Sequence, residues 1–210
     1  MHYKYLLFLR YFLINSIGIA FLLVAYSQGF LNKAINADIT NVVLLIMLLF
    51  LLGISIATQK TFWISKELNL ANEKILKKGS LFYDFIEKSK NLDASSRSNL
   101  ASSVRIKIAG KINLIKFISN TLVILGLIGT VIGFIIALSG VDSSAANNPE
   151  EVGKMVTYLI SGMSVALYTT LAGSIFSVWL NICYHILSNG ANQLLSKIIE
   201  IGEEKINASS

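Results

Sequence analysis

Four apolar runs dominate the chain, at about Tyr5–Tyr26, Asn41–Thr58, Phe117–Ser139 and Val156–Leu187. A helix needs roughly 20 apolar residues to cross the hydrocarbon core of a bilayer, so each run predicts one spanning helix. The fourth is longer than a crossing requires, and it either tilts or continues as helix past the membrane. The first run has a second reading, a cleaved signal peptide. Arg10, the lack of an A-x-A-like site and the second apolar run close behind it all argue against that reading.

The polar stretches between the runs carry patterns of their own. From Gln59 to Lys116 the chain predicts two amphipathic helical pieces, Thr61–Lys78 and Ser98–Lys116, parted by Gly79 and by Asp93-Ala94-Ser95-Ser96. Leu100, Val104, Ile108 and Ile112 recur at spacing four, which gives the second piece one apolar face; a solvated tether is the alternative. Both pieces prolong spans two and three. Asn148, Pro149, Glu150 and Glu151 combine a cap residue, a first-position proline and first-turn acids, so the fourth helix starts before its apolar run.

Charge then orients the spans. Of the 18 Lys and Arg residues, twelve lie between Lys60 and Lys116, and such residues are retained on the cytoplasmic side. Residues 59–116 are therefore expected inside. The linkers Ser27–Thr40 and 140–155 each hold a single lysine and are expected outside. Both termini then lie inside, with Lys4 and Arg10 at one end and Lys197 and Lys205 at the other. Composition agrees with a lipid solvent: 54% of residues are hydrophobic and 14% charged, with a mean hydropathy of +0.64. In a soluble protein a net charge of +6 would suggest nucleic acid as a partner. Here the charges alternate with membrane runs, and no nucleic-acid partner is expected. The expected fold is an all-α integral membrane protein with four transmembrane helices and long cytoplasmic helical extensions.

Candidate chemistry is sparse. No Asp or Glu falls within the four spans, and no catalytic constellation or zinc-ligand set is visible, so an enzyme is not expected. The lone Cys183 offers neither an internal disulfide nor a multi-cysteine metal site. His2 is terminal, and His185 reads as an interfacial anchor. The informative signal is the small and hydroxyl residues of spans three and four, against plain Leu and Ile in spans one and two. LGLIGTVIG supplies Gly126, Gly129, Thr130 and Gly133, and Gly129 with Gly133 forms a small-xxx-small pair that permits close helix approach. In span four, Gly162, Ala166, Thr170, Gly173, Ser177 and Asn181 recur every three or four residues along one face. Two readings stay open for these stripes. They either pack helices, with threonine hydroxyls bonded to the preceding turn, or form a polar surface that needs protein or water beside it.

Across about Leu125–His185 the sequence resembles the MotA/TolQ/ExbB proton channel family. LGLIGTVIGFIIAL is similar to its glycine- and threonine-bearing pore helix, and SGMSVALYTTLAGSIFSVWLNICYHIL to its second pore helix. Four spans with an intracellular segment after the second resemble MotA, whereas the motif spelling is closer to TolQ and ExbB. The resemblance implies a pentameric ring of this subunit around a dimer of a single-span ExbD/TolR/MotB-like partner. That partner's transmembrane aspartate would carry H⁺ or Na⁺, with no other cofactor, in a bacterial inner-membrane motor. It places Thr130 and Thr170 beside that aspartate, flanked by Ala166, Gly173 and Ser177. Gly126, Gly129, Gly133 and Gly162 remain packing residues. The chain departs from the TolQ and ExbB pattern at Val165, where the family has glutamate, and at Ser161 and Trp179, where it has prolines. Those departures speak against an acid-assisted path within this subunit, and the short cytoplasmic segment speaks against flagellar drive. The resulting organisation is a peripheral helix pair (1–58), a cytoplasmic segment (59–116), a pore-forming pair with its external linker (117–187) and a C-terminal helix or tail (188–210). A self-contained transporter, which needs repeats, broken helices and its own ionisable midplane residues, and a structural scaffold are the competing classes.

Overall fold

The computed structural model describes residues 5–73, 75, 77–90, 92–141 and 149–207. Among them are six α-helices and no strand: α1 (Leu6–Ser27), α2 (Phe30–Ala37), α3 (Val42–Asn72), α4 (Leu81–Ser89), α5 (Ala94–Ser139) and α6 (Pro149–Asn207). Four of these, α1, α3, α5 and α6, are long and apolar enough to cross a membrane. Every apolar run thus lies in its own helix.

The helix ends follow local chemistry. α6 starts at Pro149 with Glu150 and Glu151 in its first turn, where acids favour the positive end of the helix dipole. The cap residue Asn148 and positions 142–148 of the external linker lie outside the described residues, as do His2, Lys4 and Lys74. α5 starts at Ala94 because Asp93 caps it. The Asp93 carboxylate accepts hydrogen bonds from the Ser96 side chain and from the backbone N–H groups of Ser96 and Ser95, which hold its pKa below the ordinary value.

Three expectations change. The linker after span one holds a helix, α2, entered through Gly29 in the left-handed region at φ 76°. The first amphipathic piece ends at Asn72 rather than Lys78. The second begins at Ala94, inside the stretch expected to separate the two, and α4 fills residues 81–89 of that stretch. The signals for α4 were local: Gly79 turns the chain at φ 86°, and Ser80 caps the new helix by accepting from the Tyr83 N–H at 3.1 Å. Asp84 then occupies the first turn and Lys88 the last, each on the side the dipole favours.

The chain forms two compact units. One comprises Ile17–Ile54 and Phe117–Asn181. In it α5 and α6 run antiparallel, because successive contacts pair Ser119 with Ser177, Gly126 with Gly173, Gly133 with Gly162 and Gly140 with Tyr158. α1 and α3 pack on α6 through aromatic rings. Phe50 stacks on Phe176 at 4.4 Å and meets Trp179 at 5.1 Å. Gly18 leaves room for the Trp179 ring, and Gly53 for Leu180.

The other unit comprises Met1–Ser16, Ser55–Lys116 and Ile182–Ser210. Of the apolar stripe expected on the second amphipathic piece, Ile108 and Ile112 are buried and Leu100 and Val104 half-buried; Ile115, Ile64, Phe82, Phe85, Leu194 and Ile198 are buried with them in this unit. Lys111 holds its Nζ 3.9 Å from the centre of the Trp63 ring. Arg97 pairs with Glu203 at 3.1 Å. Tyr11 and Thr58 share a 2.8 Å hydroxyl contact, and the Asn15 amide donates to the Tyr11 carbonyl at 2.8 Å.

Candidate functional site between α5 and α6

Glycine sets how closely α5 and α6 approach. A β-carbon on Gly133 would lie 2.5 Å from the Gly162 carbonyl oxygen and 2.6 Å from the Ala166 nitrogen, so a side chain there meets backbone that cannot turn away. On Gly162 it would collide with Ala137 and with the Gly133 carbonyl, and on Gly173 it would come within 2.6 Å of the Leu122 carbonyl oxygen. Gly126 faces the Thr169–Thr170 backbone, and Gly129 receives the Thr169 side chain. All four expected packing glycines therefore lie in this contact. The two helices use their small residues on each other, within one chain.

At the rim of that contact two threonine hydroxyls meet. Thr130 Oγ1 and Thr170 Oγ1 hydrogen-bond one another, and either can donate. The Gly126 carbonyl is also within reach of both, at 3.1 Å from Thr130 and 3.3 Å from Thr170, and the Ala166 carbonyl lies 3.5 Å from Thr130. Both threonines are half-buried. A hydroxyl has one proton and two lone pairs. Two hydroxyls sharing one carbonyl thus satisfy the local backbone and keep lone pairs that a cation or a donor approaching from the rim can use.

The other expected site residues lie deeper. Ala166, Gly173 and Ser177 are buried in the α5–α6 contact, and Ser177 accepts through its carbonyl from the Ser119 hydroxyl at 2.9 Å. Asn181, the last member of the expected stripe, is exposed. Two residues of the contact were missed. Ser119 pairs with Ser177 from within an apolar run. Thr169 is wholly buried and bonds back to the Val165 carbonyl at 2.8 Å. Helical phase carried a signal for it, because Gly162, Ala166, Thr169 and Gly173 follow steps of four, three and four, which keeps Thr169 central and moves Thr170 to the edge. The two stripes pack on each other within one chain, so the packing reading holds for most of their members and the stripes alone do not require a ring.

A family model described as MotA/TolQ/ExbB proton channel family matches residues 69–200, a stretch that contains all of α4 and α5 and most of α6. No curated protein and no solved structure matches the chain.

Proposed function

The chain belongs to the MotA/TolQ/ExbB proton channel family, and from that premise we propose that it is the ring-forming subunit of an ion-driven motor in the bacterial inner membrane. Membership makes it a subunit of a proton-channel membrane complex, and its four long apolar helices make it a multi-pass membrane protein. The finer reading is a pentamer around a dimer of a single-span partner that supplies the transmembrane aspartate. Both termini and residues 59–116 face the cytoplasm in that reading, and the lysine and arginine bias supports it.

The observation that carries the proposal is the Thr130–Thr170 hydroxyl pair at the edge of α5 and α6. No Asp or Glu occurs in the apolar runs, so the titrating carboxylate of an ion path must come from another chain. When the partner's carboxylate is ionised, a rotated threonine hydroxyl donates to it. When it is protonated, or when a hydrated cation passes, the same oxygen accepts. Inside a low-dielectric site such contacts count for more than in water. Buried Ala166, Gly173 and Ser177 hold α5 against α6 and so keep the two hydroxyls in register. The ion is H⁺ or Na⁺, since hydroxyl oxygens serve both, and the driven machine is an envelope, secretion, gliding or defence system.

The test is to purify the chain with a genetically adjacent single-span protein, weigh the complex by native mass spectrometry and measure ion flux in proteoliposomes. A five-to-two complex with flux that depends on the partner's aspartate is expected. A monomer across several mild detergents, or a complex that passes no ion, overturns the reading.

A further inference from the structure

We infer that α2 is an interfacial anchor that binds the bilayer surface through Phe30, Ile35 and Ile39, with Lys33 directed at lipid phosphates. The family match begins at residue 69, so this segment lies outside it. Within α2 the apolar residues Phe30, Leu31, Ala34 and Ile35 alternate with Asn32, Lys33 and Asn36 at helical spacing. One side of the helix is taken up by the protein, where Leu31, Ala34 and Ala37 are half-buried. Phe30, at the helix start, and Ile35, at the edge of the same apolar arc, stay 54% and 46% exposed, as does Ile39, just past the helix, at 67%. Tyr26, at the end of α1, is also exposed, at 59%.

What covers that face follows from connectivity. α2 is joined to two membrane-crossing helices by two residues on one side, Gln28 and Gly29, and four on the other, residues 38–41. Chain reaches at most about 3.5 Å per residue step, so the three steps from Ser27 to Phe30 and the five from Ala37 to Val42 keep the ends of α2 within roughly 10 and 18 Å of the ends of the spans. The links are tighter than that limit. Gln28 N–H donates to the Val24 carbonyl at 3.1 Å, Gly29 N–H to Tyr26 at 2.9 Å, and Lys33 N–H to the Gly29 carbonyl at 3.0 Å. At the other end Asp38 is buried and its carboxylate accepts from the Thr40 N–H at 3.2 Å, the Thr40 hydroxyl at 2.7 Å and the Val43 N–H at 2.6 Å, capping α3. α2 is thus pinned at the level where both spans leave the hydrocarbon. That level is the headgroup boundary, about 5–10 Å deep, which accepts an amphipathic helix with aromatic and aliphatic residues on one face and a lysine on the other.

Nitroxide labels at introduced cysteines test this in proteoliposomes of the whole chain with its partner. Ile35→Cys and Ile39→Cys are compared with Asn32→Cys and Asn36→Cys by power-saturation spectroscopy with oxygen, which concentrates in lipid, and a nickel chelate, which stays in water. The native Cys183 is buried, and the unsubstituted chain serves as the labelling blank. A ratio of oxygen to nickel accessibility several-fold higher at 35 and 39 than at 32 and 36 is expected. Equal, water-like ratios at all four positions overturn the proposal. So does exclusion of both relaxers at 35 and 39, which would mean that protein, a second copy or another subunit, covers the face.

Discussion

Thr130 on α5 and Thr170 on α6 share a hydroxyl–hydroxyl hydrogen bond while both lie within reach of one carbonyl, that of Gly126. The glycine matters twice. Its missing side chain lets α6 close in, and its carbonyl is then near enough to orient both hydroxyls.

Replacing either threonine by valine keeps the branched shape and removes the hydroxyl. The packing contribution survives, while a hydrogen bond worth about 1 kcal/mol is lost at each site and repeated around an oligomer. Thr130→Val, Thr170→Val and the double variant are expected to assemble with the partner, measured by pull-down, and to lose ion flux, with the largest loss in the double variant. Full flux in the double variant removes the pair from the ion path. Lost assembly assigns the pair to packing instead.

The glycine contacts predict a graded stability series. Gly133→Ala and Gly162→Ala force α5 and α6 apart against backbone atoms, and overpacking of this kind costs roughly 1–3 kcal/mol. A β-carbon on Gly153, also in α6, meets nothing within 4 Å, so Gly153→Ala is expected to be neutral or stabilising by up to about 1 kcal/mol. Thermal unfolding in detergent ranks the three. A destabilised Gly153→Ala beside an unaffected Gly133→Ala contradicts the packing described.

Glu67, on α3 beyond the apolar run, is buried and accepts from the Leu81 N–H at 3.0 Å, tying α3 to the start of α4. Burial raises its pKa above the ordinary 4.5; the Leu81 hydrogen bond and the charges of Lys111 and Lys66 oppose that rise, and Asp84 adds to it. A folded-state value above the unfolded one means that the folded chain holds the proton more tightly. Its stabilising contribution is therefore complete below pH 4.5 and is lost as pH rises through the folded value. Glu67→Gln is expected to flatten this part of the stability–pH curve. Glu67→Ala leaves the Leu81 N–H without its acceptor and costs about 1–3 kcal/mol. An unchanged slope in the glutamine variant excludes Glu67 as its source.

Topology has a direct test. Ser95, at the start of α5, and Asn32, on α2, are both exposed. With single cysteines at these positions, an impermeant thiol reagent added to intact cells is expected to label position 32 and to reach position 95 only after lysis. Labelling of position 95 from outside inverts the assignment.

Much of the architecture was legible because its determinants are local. Apolar length alone marks α1, α3, α5 and α6, and α6 starts where proline and two glutamates follow one another. The family resemblance was legible for a similar reason, since Gly126, Gly129, Thr130 and Gly133 form a compact run within a single helix. α4 has local signals too, in Gly79, Ser80 and Asp84, but at nine residues it is too short to show the sustained periodicity that marks the longer helices.

What the chain determined by itself was the number of spanning helices and the set of small residues available to bring two of them together. Which threonine is buried and which reaches the rim was decided only in three dimensions. Thr169 and Thr170 are adjacent and chemically identical, yet a turn of about 100° per residue sends one under Gly129 and the other to Thr130. The partner of each stripe was likewise a tertiary matter. A glycine row records that something approaches closely, but the approaching surface is chosen by the shapes of both helices together, and here the helices chose each other.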